Sequence, residues 1–275
     1  MMKEQKNDVS FIIIEYNSII DVMQCVEAIK DRVFNLNYEI IISSNSEYSS
    51  SQQAQLINKY SSVKWCFNPE NKGFAYGMNR GINIASGKYI IIQNPDTTLQ
   101  NTNLIAALDF LSKNKDVGIL GPKILNANDE IQDTCRPFVT PQIILSRLYQ
   151  RVFFKKSAIL DNTYNYDKIQ KVNWVIGAYM ITSRKAINRV GLMNERFFMY
   201  VEDMEWCLRF WENNLKVVYY PDLIVKYEGD RKSTLSKSKF LPFSINKYTI
   251  IHLKNYLIFL KEHGIGKINK LSRKV

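Results

Sequence analysis

Val9-Ser10-Phe11-Ile12-Ile13-Ile14 is a nearly unbroken run of β-branched and aromatic residues that stops at the polar Glu15-Tyr16-Asn17-Ser18. A strand without polar alternation is covered on both faces, so this run predicts a central strand. The arrangement recurs three times. Tyr38 to Ile42 runs into Ser43-Ser44-Asn45-Ser46, Val63 to Phe67 into Asn68-Pro69-Glu70-Asn71-Lys72-Gly73, and Tyr89 to Gln93 into Asn94-Pro95-Asp96. Helical periodicity follows the first strand at Ile20, Val22, Met23, Val26 and Ile29, and the third over residues 74–85. Strands alternating with helices define an α/β chain with a parallel sheet, whose ligands bind outside the strands' carboxyl ends. All four polar loops lie at such ends. Further along, residues 104–114 read as a helix, 117–120 as a strand and 174–181 as another. A helix carrying Met204, Cys207, Leu208 and Trp211 on one side precedes a strand over 216–220 that halts before Pro221.

A chain of 275 residues with 46% apolar content buries a sizeable core without staples, and Gly 11 and Pro 7 exclude collagen-like or low-complexity readings. Cys25, Cys66, Cys135 and Cys207 are far apart, with only His252 and His263 as imidazoles, which argues against a Cys/His zinc site. The first eight residues are polar and no apolar run reaches the roughly 18 residues of a membrane span. The expectation is a soluble, cytoplasmic protein. The net charge of +11 is uneven: from Lys226 onward twelve basic residues face three acidic ones, so +9 of it lies in the last fifth of the chain.

Three loops carry candidate chemistry. Asp96 follows a buried strand and a stiffening proline, where one carboxylate suits a divalent cation bridging a diphosphate; an ordinary Pro-containing turn is the plain alternative. Glu202-Asp203 lies between the aromatic run Phe197-Phe198-Met199-Tyr200 and an apolar-periodic helix, a position for a general base or for simple capping. Gly77 and Gly81 sit within a helical pattern where Gly costs about 1 kcal/mol relative to Ala. They predict a close approach by backbone or ligand, or tight packing, and Arg80 beside them is a candidate for meeting a phosphate.

Taken in series, IIIEYNS (12–18), NKGFAYGMNRGI (71–82), QNPDT (93–97), NWVIGAYMI (173–181) and GLMNERFFMYVEDMEWCLR (191–209) resemble the family 2 inverting glycosyltransferases of GT-A fold. The similarity is strongest to the rhamnosyltransferase branch of bacterial surface-polysaccharide synthesis. It covers roughly residues 8–235, and HLKNYLIFLKEHG (252–264) is similar to the segment that closes many members. The resemblance implies a GT-A catalytic domain over 1–235, its nucleotide-sugar part about 8–125 and its acceptor and base part about 126–235. A basic amphipathic helical segment, 236–275, follows. It implies that Tyr16 and Asn17 line the nucleoside pocket, that Asn71, Gly73 and Asn79 shape the donor site with Asn94 near them, and that Asp96 holds Mg²⁺ or Mn²⁺ on the diphosphate. Gly177, Ala178 and Trp174 would border the acceptor, and Asp203, with Glu202 beside it, would deprotonate the acceptor hydroxyl. The implied reaction is transfer of a sugar, L-rhamnose from dTDP-rhamnose in this branch, to a lipid-linked O-antigen or capsule oligosaccharide. Another UDP- or dTDP-sugar donor, or a non-catalytic nucleotide-sugar-binding protein, are the alternatives.

Three positions depart from the family pattern. The Asp-Asn pair that commonly ends the second strand is Ser44-Asn45 here, and the Thr that commonly precedes Tyr-Asn is Glu15. Parallel neighbours present their ends side by side, so Glu15 is expected to supply the carboxylate missing at Ser44, or merely to cap a loop. The histidine found in many members near residues 226–229 is replaced by Lys226 or Tyr227, and a lysine there would neutralise diphosphate charge.

Lys247, Lys254 and Lys261 recur every seven residues, forming one stripe on a helix whose other positions include Ile245, Tyr248, Ile250, Leu253, Tyr256, Leu257 and Phe259. Either this helix packs on the catalytic body with solvated lysines, or it lies on an anionic membrane surface. A tail-confined charge without a nucleic-acid-binding motif argues against nucleic acid. A lipid-linked acceptor at the inner face of a bacterial membrane fits both the body and the tail.

Overall fold

The computed structural model describes residues 7–141, 164–227 and 247–275. The basic patch Arg147, Arg151, Lys155 and Lys156 and residues 228–246, Ile245 among them, lie outside the described residues. The first part comprises β1 (Val9–Glu15), α1 (Ile19–Arg32), β2 (Tyr38–Ser44), α2 (Ser50–Lys59), β3 (Lys64–Phe67), α3 (Phe74–Ile84), β4 (Tyr89–Gln93), β5 (Thr97–Leu99), α4 (Leu104–Lys113) and β6 (Val117–Leu125). Then come β7 (Cys135–Arg136), β8 (Gln170–Lys171), β9 (Trp174–Val175), β10 (Tyr179–Ser183), α5 (Arg184–Val190), α6 (Glu202–Glu212), β11 (Lys216–Tyr227), α7 (Lys247–His263) and α8 (Ile265–Ser272).

The main sheet runs β3-β2-β1-β4-β10-β6-β11-β5, with β8 beside β11. The first four strands are parallel, β10 is antiparallel to both its neighbours, and β6 and β11 are parallel to each other. All seven residues of β1 are buried, and the reason is visible in how its side chains divide. Phe11 and Ile13 pack with α1 and α4 residues such as Val26, Ile29 and Leu108. Ile12 and Ile14 pack on the opposite face with Met78 and Ile82 of α3. That second core layer also takes in Trp206 and Phe210 of α6, Tyr256 and Phe259 of α7, and Ile268 and Leu271 of α8. Phe259 is fully buried, a contribution of about 2 kcal/mol by area.

Two expected strands change shape. The run 174–181 is divided into β9 and β10 by Ile176-Gly177-Ala178, because the Gly177 amide is turned toward a side chain of α6. The strand expected to halt before Pro221 continues to Tyr227, with a register shift between Tyr220 and Ile224. Pro221 has no N–H for the ladder, and the irregularity absorbs it.

Candidate active site

The carboxyl ends of β1, β2 and β4 and the loop entering α3 converge on one edge of the sheet. Glu15 and Ser44 are register partners across β1 and β2. The Glu15 carboxylate is fully buried and accepts from Ser44 Oγ (2.5 Å), Ser46 Oγ (3.0 Å), the Ser18 amide (3.0 Å) and Tyr48 Oη (3.4 Å). Four donors nearly exhaust a carboxylate's acceptor sites. Glu15 therefore stands beside Ser44 as a clasp between two loops, its oxygens turned inward. Asn17, in the left-handed region at φ 51°, donates its amide to Ser46 Oγ at 2.7 Å, and Tyr16 leaves its ring 57% exposed at the mouth.

Asn45 is buried, donating to the Gly73 carbonyl at 3.0 Å and accepting from Asn68 at 2.8 Å. Asn71 Oδ1 accepts from the Gly73 amide at 3.0 Å. Gly73 is required twice over: its φ is +101°, and a Cβ there would collide with the Phe198 carbonyl. Gly77 and Gly81 resolve as packing glycines, since a Cβ at either would strike Ile14 or Ile12 of β1. Asn79 is buried and joins α3 to a distant loop through the Met193 carbonyl (2.9 Å), the Met193 amide (3.0 Å) and Glu195 (2.8 Å). Arg80 is exposed, with Nε donating to Asn68 at 3.3 Å.

Asp96 sits in a turn held by the Asn94 amide on the Ala178 carbonyl (2.9 Å) and by Thr97 Oγ1 on the Asn94 carbonyl (2.8 Å). Its donor chemistry fits a hard divalent cation that takes one protein carboxylate and draws its other ligands from phosphate and water. The group of three metal-capable side chains among the described residues, Glu205, Glu262 and His263, lies elsewhere, and its carboxylates already engage Arg209 and Arg196. Lys226 is paired with Asp129 at 2.8 Å, so the residue set opposite Thr97 beside Asp96 is Tyr227.

Ala178 leads directly to the candidate base. Its neighbour Gly177 donates its amide to Asp203 Oδ2 at 2.8 Å, and the Met204 amide donates to Oδ1 at 2.8 Å. One short segment thus joins the Asp96 turn to Asp203. Asp203 is partly accessible, whereas Glu202 is buried with one carboxylate oxygen lacking a hydrogen-bond partner among the described residues. Burial first, and then Asp203, pushes the Glu202 pKa well above the usual carboxylate range. Burial also raises that of Asp203, against the opposing pull of the two amides, Arg136 and His252. A carboxylate raised in this way is a stronger base.

Helix α6 begins without a side-chain cap. Its preceding residues Tyr200 and Val201 both have positive φ, 71° and 77°, a conformation that costs non-glycine residues roughly 1–3 kcal/mol each. The acids at 202 and 203 are therefore not explained by capping alone. Trp174 is buried, donates to the Pro137 carbonyl at 2.9 Å and carries the Arg136 guanidinium over its ring at 5.5 Å.

Arg136, Tyr200, His252 and Asn255 surround this region and were not singled out from sequence. The signals available were Tyr200 in the aromatic run before the acidic pair and the similarity of 252–264, with His252 and Asn255 in it, to a closing family segment.

This parallel-edged sheet with an acidic turn after β4 and a supported acidic pair at α6 has the GT-A architecture. Residues 10–189 match Glycosyl transferase family 2, and the chain belongs to that family. It is 26% identical over 215 residues to the low-salt glycan biosynthesis hexosyltransferase Agl10 of Haloferax volcanii, a match covering 77% of this chain and 64% of that protein. It is 24% identical over 244 residues to the N-acetylglucosaminyl-diphospho-decaprenol L-rhamnosyltransferase of Mycobacterium tuberculosis, covering 82% and 76%. Among solved structures, GalNAc-T7 with UDP, GalNAc and Mn²⁺ superposes with a TM-score of 0.65 at 16% identity, covering 93% of this chain and 48% of that one. The chain thus spans just under two thirds of the Haloferax relative and about half of GalNAc-T7.

Proposed function

We propose that the protein is an inverting glycosyltransferase that uses a nucleotide-sugar donor, with Asp203 as its base. The observation that carries this reading is the segment Gly177-Ala178, whose two ends bind Asp203 and the Asp96 turn. A general base belongs within reach of the reacting hydroxyl, and the leaving diphosphate belongs on the other side of the anomeric carbon. Asp203 takes the proton of the acceptor hydroxyl as that oxygen bonds to the anomeric carbon. The bond to the donor phosphate breaks with inversion, and its electrons leave with the nucleoside diphosphate. Asp96 would hold Mg²⁺ or Mn²⁺, which when bound offsets the charge gathering on the diphosphate. The exposed Tyr16 ring and the Asn17 loop offer the nucleoside a surface whose shape Glu15 maintains from behind.

The sugar in this reading is L-rhamnose and the acceptor an N-acetylglucosaminyl-diphospho-prenol, by analogy with the name of the mycobacterial relative, and dTDP is the carrier that the family resemblance implies. Work at the inner face of a membrane is supported by α7, where Ile250, Leu253 and Leu257 are more than half exposed beside the exposed Lys254 and Lys261. None of the described helices is long and apolar enough to cross a membrane.

The test is a panel of nucleotide sugars assayed for thermal stabilisation with and without Mn²⁺, followed by anomeric assignment of the product by NMR. Stabilisation by a dTDP- or UDP-sugar and an inverted product are expected. Silence across the panel, or a retained configuration, would overturn the reading.

A further inference from the structure

Helix α7 reaches into the catalytic machinery through the loop that presents Asp203. Three successive carbonyls of that loop are bound from outside it. The Phe74 amide at the start of α3 donates to Phe198 O at 2.9 Å, while Nδ2 of Asn255 on α7 donates to Met199 O at 2.9 Å and to Tyr200 O at 3.2 Å. Asn255 is 4% exposed, and one turn earlier His252 stacks its ring on Tyr200 with centroids 5.3 Å apart. The next two residues after Met199 are the left-handed Tyr200 and Val201, and α6 opens immediately with Glu202 and Asp203. Non-glycine residues keep such a backbone only where their surroundings over-determine it. Here Asn255 contributes two hydrogen bonds to those surroundings.

We propose that Asn255 is a positioning residue for the base: its side-chain amide clamps the Met199 and Tyr200 carbonyls and so fixes Asp203 against the Gly177 amide. The proposal rests on Asp203 being the base. It makes α7 a working part of the active site, contributed from the far end of the chain. The clamp is separable from the docking of α7, which is also held by Phe259 in the core, by Tyr256 Oη on the Val139 carbonyl at 3.2 Å and by His263 between two carboxylates. Removing one amide therefore leaves the helix in place.

The experiment compares Asn255→Ala with Ile268→Val, a core change on α8 that leaves the clamp's hydrogen bonds intact, and with Asp203→Asn. Two quantities are read: hydrogen exchange at the Gly177 amide, and transfer from dTDP-rhamnose to a prenyl-diphospho-N-acetylglucosamine. The expected result for Asn255→Ala is Gly177 exchange faster by about tenfold and kcat lower by about tenfold, with donor KM unchanged. Ile268→Val should lower Tm and leave both quantities alone. Unchanged Gly177 exchange in Asn255→Ala, or an equal acceleration in Ile268→Val, would overturn the clamp. If instead Asp203→Asn turns over like the wild type, the base assignment falls and the inference with it.

Discussion

The backbone N–H of Gly177 points at Oδ2 of Asp203 across 2.8 Å, although 26 positions separate them in the chain. The absence of a side chain at 177 is part of this relationship. A Cβ there would lie at ordinary contact distance, 3.5 Å, from the Phe74 ring but only 3.3 Å from the Asp203 Cβ, tight enough that Asp203 must give. Gly177→Ala is accordingly expected to displace Asp203 by a few tenths of an ångström and to reduce kcat by about tenfold, with donor affinity retained. Steady-state kinetics beside calorimetric donor binding will check it; equal loss in both would point to general damage.

Glu202 and Asp203 are adjacent carboxylates in different environments, and burial holds Glu202 in its neutral form well above the usual carboxylate range. A neutral acid is closely mimicked by an amide. Glu202→Gln should therefore keep kcat within about fivefold of wild type, a cost below about 1 kcal/mol. A loss of several hundredfold would assign Glu202 a charged role that its burial argues against.

Much of the fold was legible because covering a strand on both faces leaves a composition signal. The runs at 9–14, 38–42 and 89–93 became β1, β2 and β4 where expected. Pro221 misled because a register shift accommodates a missing N–H without ending the strand, and no local pattern announces that. For the candidate site, the sequence points to acids and glycines but not to the residues that support them. Asn79 with Met193 and Asn255 with Tyr200 are bonds across 114 and 55 positions. A buried asparagine that bridges distant loops leaves no periodicity to read. Gly77 and Gly81 also show how two explanations that were equal in sequence separate once β1 is seen beneath them.

Glu15 is expected to act on nucleotide affinity through the loops it joins. Glu15→Gln replaces one accepting oxygen by an N–H₂ group facing the donors Ser44, Ser46, Ser18 and Tyr48. Loss of about one net charge-assisted hydrogen bond costs about 1.5–3 kcal/mol of stability where the two loops join, and the loosened loops are expected to bind a nucleoside diphosphate less tightly. Titration with dTDP and UDP measures it directly, and unchanged affinity for both would remove Glu15 from the donor site.

His263 sets an alkaline limit on the docking of α7. Burial lowers its pKa, but hydrogen bonds to Glu205 (3.3 Å) and Glu212 (3.1 Å) reverse this and bring it to about 9 from an ordinary 6.5. Arg209 on Glu205 and Lys267 on Glu212 complete the cluster. Because the folded pKa is raised, the stabilisation is fully present below about pH 6.5 and is lost as pH rises through about 9. It is on the order of 2–3 kcal/mol at its fullest. Urea denaturation at pH 6, 8 and 10 should show this decline in the wild type and a flatter profile in His263→Gln; parallel profiles would refute the assignment.

The most direct test of the whole account is Asp203→Asn, assayed for transfer and, in the same preparation, for donor binding by calorimetry. Loss of 10²–10⁴ in kcat, with donor affinity within about twofold of wild type, is what a base on the acceptor side predicts. Turnover within about tenfold of the wild type would contradict it and leave Asp203 a structural partner of Gly177.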